Sequence, residues 1–171
     1  MDEPPKPERV FADLSHWRKV AVDGDDAFEW LEHLVHAGVT DLAPNVACHA
    51  VLPGATGSVA FTVAVPGGSM VLLQDAEDPV PVERALAPHA GAAGIRLEDR
   101  TGAMALFALP GTSTPPNAPG AAFSFPSCLG PGVDLITLAE DHDRVARALA
   151  KRFRELTPEE VRTLRATMAG T

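Results

Sequence analysis

Residues Phe11–Ala27 read FADLSHWRKVAVDGDDA. Within this stretch Lys19 to Val22 alternates polar and apolar residues, the period-two pattern of a half-buried strand, and Asp23-Gly24 turns the chain out of it. Asp25 or Asp26 then caps a helix in which Phe28, Leu31, Leu34 and Val35 share one face and which Gly38 ends. Downstream, strands are expected at Val46–Leu52, Ser58–Val65 and Met70–Gln74, divided by PGATG and PGG turns into an antiparallel meander. Pro81 to Ala90 predicts a second helix with Val82, Leu86 and Ala85 inward, and Ile95–Glu98 and Met104–Leu109 predict two more strands. Strands and helices in this order make an α+β sandwich of antiparallel sheets with packed helices.

Beyond residue 110 the chain changes character. GTSTPPNAPG at 111–120 admits neither a helix nor a central strand and reads as a linker. A strand is expected at Val133–Leu138 and a helix from Asp141 to Arg154. A last helix opens at Thr157-Pro158-Glu159-Glu160, with Thr at the cap, Pro at the first helical position and Glu at the third.

Composition narrows the function classes. The 171 residues hold 14 Lys and Arg against 23 Asp and Glu, a net charge of −9, with 46% hydrophobic residues. That balance belongs to a folded globular chain and is unfavourable for nucleic acid, which needs clustered cations to neutralise phosphates. The cations gather late, with seven Lys and Arg against five acids in 141–171. No apolar run approaches the roughly 20 residues of a membrane span. The opening MDEPPKPER lacks the apolar centre of a secretory signal, which points to the cytoplasm. Cys48 and Cys128, far apart and without a CxxC partner, read as small hydrophobes.

Generic catalytic motifs are weak. His33 and His36 lie three residues apart beside Glu32, but no third and fourth ligand accompany them, so no metal is expected. No serine lies in a GxSxG elbow, and the paired glycines sit in turns rather than between a strand and a helix. His49, on an expected central strand, has the chemistry of a general base near neutral pH.

The stretch FADLSHWRKVAVDGDDA resembles the opening of the glycine-cleavage T-protein (aminomethyltransferase) superfamily, whose folate domain begins FDLSHxGKxxVxGxDA and continues into a helix containing FL. Here Phe28 to Leu31 follows at the matching distance. Leu97-Glu-Asp-Arg-Thr and Ala105-Leu-Phe-Ala-Leu-Pro-Gly are similar to the family's V-x-D-x-S/T and ALxLxGP phrases, and Arg162-Thr-Leu-Arg resembles its ARDTLR segment. The likeness runs from about residue 11 to 111 and resumes more loosely from about 127 to 170. It implies a T-protein-like N-terminal folate-domain region over 11–111 and a partial second lobe over 127–171, to which composition adds a disordered tail over 1–10 and a Pro-rich linker over 112–126. The family's C-terminal barrel domain would be lacking.

By the same resemblance the lobes would enclose a tetrahydrofolate pocket. Asp134 falls at the family's pterin-binding Glu, Arg165 at its Arg near the ligand, and Trp17 at an apolar position beside the pterin. Arg162 lies in the same closing segment. A carboxylate can hold an amino-pyrimidinone edge through two hydrogen bonds, a folate tail needs Arg or Lys, and a Trp can stack on a heterocycle. Asp13, His16, His49, Asp75 and Asp134 are the candidates for polar work, with His16, His49 and Asp75 in catalytic roles. The departures are specific. Where the family has GGIxDD, this chain has Gly57-Ser-Val-Ala-Phe61-Thr62, so both acids are missing, and Phe cannot accept a proton. The family's Asn near the ligand is matched by Asp75 and the Tyr of its GYTGE by Cys128. Glycine cleavage by the usual route is therefore not expected.

The implied function is a divergent aminomethyltransferase-like transferase of one-carbon or related small-molecule chemistry in a specialised pathway. A second reading is a non-catalytic small subunit of a sarcosine-oxidase-type amine oxidase. A third is a folate-binding accessory protein, since Cys128 and Gly130 faintly resemble the KGCYxGQE phrase of the superfamily's iron–sulfur maintenance branch. The shortened lobe suggests a homodimer or a place beside a partner protein.

Overall fold

The computed structural model describes residues 8–35, 46–52, 59–64, 70–118 and 121–169. Among the described residues ten strands and four α-helices run in the order β1 (Val10–Asp13), β2 (Arg18–Asp23), α1 (Ala27–Val35), β3 (Val46–Val51), β4 (Val59–Ala64), β5 (Met70–Gln74), α2 (Val82–Ala90), β6 (Arg96–Asp99), β7 (Met104–Pro110), β8 (Ala121–Pro126), β9 (Gly132–Leu138), α3 (His142–Ala150), β10 (Arg154–Glu155) and α4 (Pro158–Ala169). They form two compact units. One comprises Ser15–Ala105, and the other Met1–Leu14 with Leu106–Thr171.

The Ser15–Ala105 unit holds a five-stranded antiparallel sheet in the order β3-β4-β5-β2-β6. The expected meander is present, and β2 inserts beside β5 with Arg18 opposite Gln74 and Val22 opposite Met70. Alternation in β2 and β5 turns Val20, Val22, Met70 and Leu72 toward Leu31 and Val35 of α1 and toward Val82, Leu86 and Ala90 of α2. The spacings 27, 31, 35 and 82, 86, 90 are the helical i, i+4 repeat of a buried stripe. Trp30 bridges the two helices by donating its indole N–H to the His89 carbonyl at 3.2 Å. Gly38 lies outside the described residues.

The other unit holds a mixed sheet in the order β10-β1-β7-β9-β8. β1 runs antiparallel to β7 and parallel to β10, with Val10 opposite Arg154 and Ala12 opposite Ala108. β7 is apolar throughout its interior and buried, as a strand covered on both faces must be. Phe11 packs against Phe107 at 6.4 Å between ring centres. Val145, Leu149 and Phe153 turn inward at i, i+4 and i+8.

Four expectations change. Residues 8–10 are not a loose tail: Arg9 accepts from the Arg154 N–H at 2.9 Å, and Glu8 pairs with the Arg154 guanidinium at 2.7 Å. The linker of 112–126 is shorter, because Ala121–Pro126 pairs with β9 as β8. The helix expected to reach Arg154 stops at Ala150. Phe153 is drawn into the core and Arg154 is taken up by pairing with Val10. The two units also divide the chain differently from a boundary near residue 111, since β1 belongs with the C-terminal strands.

Candidate functional site

Asp134 is the most deeply buried acid of the Leu106–Thr171 segment. It lies on β9, an apolar strand whose interior residues are all buried. The Ser127 hydroxyl donates to its Oδ1 at 2.6 Å, the Cys128 N–H donates to its Oδ2 at 2.9 Å, and the Leu129 N–H donates to Ser127 Oγ at 3.1 Å. The side chain thus clasps the turn between β8 and β9. Burial pushes its pKa up to about 6, against the opposing pull of the hydrogen bonds from Ser127 and Cys128. The adjacent Cys128 thiol is pushed well above its ordinary value, first by burial and then by the Asp134 charge, while Arg165 pulls it the other way. Arg165, half-buried on α4, therefore lies within electrostatic reach of this turn. Arg162, one helical turn earlier, is exposed.

A second charged cluster stands in the same unit. His142 Nε2 meets Asp13 Oδ2 at 2.6 Å and Nδ1 meets Asp143 Oδ1 at 2.8 Å, while the ring stacks on Phe107 with centres 5.3 Å apart. An imidazole facing a carboxylate at each nitrogen needs both protons to donate to both, so the arrangement favours the cation. The hydrogen bonds it donates to Asp143 and Asp13 raise its pKa. The Asp143 side chain is 88% exposed and screened by water, whereas Asp13 is 28% exposed, so Asp13 makes the tighter hold.

In the Ser15–Ala105 unit, the β2–β5 pairing ends at Arg18–Gln74, so His16, Trp17 and Asp75 leave the sheet at the same end. His16 is exposed and Trp17 is only 5% exposed. Asp75 is buried and accepts the Glu77 N–H at 2.8 Å, an Asx turn. The Arg18 guanidinium fixes the loop that follows by donating to Gln74 Oε1 and to the carbonyls of Ala76 and Asp78, each at 3.0 Å. Lys19 is fully buried, and its ammonium donates to the carbonyls of Ser15 at 2.7 Å and Trp17 at 2.9 Å. That contact holds the His16 turn in shape. His49 lies on β3 opposite Phe61, and its side chain lies outside the description.

The structure thus gathers Asp134 and Arg165 in one unit and His16, Trp17 and Asp75 at one sheet end in the other. Sequence reasoning missed Ser127, Lys19 and His142. The Ser127-x-Leu129 turn could have been read from a hydroxyl two residues before an apolar position. His142 could not, because its partner Asp13 is 129 residues away. Among the described residues no group of three or more His, Cys, Asp or Glu is placed to hold a metal, and no helix is long and apolar enough to cross a membrane.

The sequence matches no protein-family model and no curated protein. Solved structures do resemble it. The glycine cleavage system aminomethyltransferase T from Bartonella henselae superposes with a TM-score of 0.68 at 18% identity, over 92% of this chain and 50% of the other. A chain of the heterotetrameric sarcosine oxidase from Corynebacterium sp. U-96 superposes with a TM-score of 0.52 at 11% identity, over 84% of this chain and 83% of its own. The chain spans about half the length of the aminomethyltransferase it matches. At these identities the likeness concerns architecture, and it settles the fold class: the chain is an α+β protein with the T-protein-like fold.

Proposed function

We propose that the chain binds a tetrahydrofolate-like small molecule and serves one-carbon or related chemistry in a specialised pathway, without the aminomethyl transfer of glycine cleavage. The observation that carries this reading is the approach of Arg165 to the turn clasped by Asp134. Asp134 is a carboxylate suited to an amino-pyrimidinone edge, Arg165 within electrostatic reach of its turn is a guanidinium suited to an anionic tail, and the exposed Arg162 adds a second cation on the same helix. Because Asp134 is fully buried, a ligand reaches it only when the Ser127–Leu129 turn yields. In the other unit, His16 is the exposed acid–base candidate, Asp75 and His49 accompany it as catalytic candidates, and Trp17 offers an apolar ring. Phe61 and Thr62 supply no acid where the family has its pair, which argues against ordinary transfer.

Calorimetric titration of the full chain with tetrahydrofolate tests this. Saturable binding is expected, weakened about tenfold or more in Arg165→Ala, since a charge-assisted hydrogen bond contributes about 1.5–3 kcal/mol. Absence of binding at millimolar ligand overturns the proposal. That result is the one expected of a second reading, a non-catalytic subunit of a larger oxidase. Its support is the near-equal coverage of this chain and the sarcosine oxidase chain, against half coverage of the aminomethyltransferase.

A further inference from the structure

Four described surface cations have a carboxylate at hand. Arg96 meets Asp23, Arg100 meets Glu98, Arg144 meets Asp141, and Arg154 meets Glu8 and Glu160. Arg147, Lys151 and Arg152 are clustered in the sequence and have none. They sit on the last turn of α3 and just beyond it, all exposed, with no carboxylate partner among the described residues. The helix C-terminus favours cations there, yet three like charges within six residues repel one another in a chain with an excess of acids. The converse patch stands at the start of α1. Asp25, Asp26 and Glu29 are exposed and have no cationic partner among the described residues. Each patch extends over about one helical turn, roughly 5–6 Å.

We propose that the basic end of α3 docks on the acidic start of α1 in a second copy of this chain. The occupant follows from charge complementarity: the same molecule presents an unneutralised cationic patch and an unneutralised anionic patch of equal extent. The net charge of −9 opposes association at long range, so the contact depends on local pairing of Arg147, Lys151 and Arg152 with Asp25, Asp26 and Glu29. The proposal stands independently of any folate site.

Sedimentation velocity of the full chain tests it. Association is expected in 50 mM NaCl and is expected to weaken at least tenfold in 500 mM. Arg147→Glu with Lys151→Glu should give monomers. So should Asp26→Lys with Glu29→Lys, although that pair reduces the net negative charge and generic repulsion alone would predict tighter association. Mixing the two double variants should restore the complex, because each keeps one native patch. Circular dichroism checks that the variants fold, and Asp25→Asn with Glu29→Gln repeats the acidic arm without reversing charge at the helix start. A chain monomeric in 50 mM salt, variants that associate like the wild type, or a mixture that stays monomeric would overturn the proposal.

Discussion

Asp134 keeps its proton to about pH 6 in the folded protein, whereas an unfolded Asp releases it near about 3.9. A carboxyl whose folded pKa is raised contributes stability that is fully present below the unfolded value and is lost as pH rises through the folded one. For Asp134 that window runs from about pH 4 to about pH 6, and a shift of about two units corresponds to about 3 kcal/mol. Asp134→Asn keeps an acceptor for the Cys128 N–H and presents a donor to Ser127 Oγ. The urea midpoint of the wild type should therefore fall more steeply between pH 4 and 6.5 than that of Asp134→Asn, and parallel profiles would refute the assignment. The raised pKa of His142 adds a second loss above about pH 6.5, but it acts on both proteins and cancels in the comparison. Asp134 was singled out in the sequence only by the family resemblance, on the strand expected at Val133–Leu138. The clasp around it was not, since Ser127 and Cys128 become its partners only when β8 and β9 pair.

Elements with local causes were legible, and those with remote causes were not. The Thr157 capping box forms as its spacing predicts: the Thr157 N–H donates to Glu160 Oε2 at 2.7 Å and the Glu160 N–H donates to Thr157 Oγ1 at 3.2 Å. Thr157→Ala removes one arm and should cost about 1 kcal/mol, read as a lower urea midpoint at unchanged slope. The stripes on α1 and α2 and the strands of the meander were equally readable, because period and turn chemistry are local properties. β10 is the opposite case. Two residues, Arg154 and Glu155, carry no strand signal of their own, and they exist as a strand because β1 runs parallel beside them. The same pairing cuts short the helix that the α3 pattern projects onward. β8 was hidden by the prolines before it.

At the scale of the molecule, the division into units was the least readable feature. The stretch that identified the fold, Phe11–Ala27, itself crosses from one unit to the other between Leu14 and Ser15. A sequence read from left to right gives no sign that its first strand belongs with its last. The Ser15–Ala105 unit is continuous and has its own sheet and apolar core, so that segment expressed alone should unfold cooperatively and give dispersed amide resonances. A collapsed spectrum without a cooperative transition would show that this core depends on the remainder.

The parallel pairing of β1 with β10 carries a consequence for synthesis. On the ribosome β1 emerges early, but its antiparallel neighbour β7 follows only after the whole Ser15–Ala105 segment, and β10 later still. The continuous unit can be finished while translation is under way. The nascent β1, with Phe11 destined for burial, must wait with one edge uncovered until β7 is made and with the other uncovered until β10 is made. Slow elongation past residue 105 would lengthen that wait, which makes β1 the segment through which delayed translation would expose the chain to chaperones.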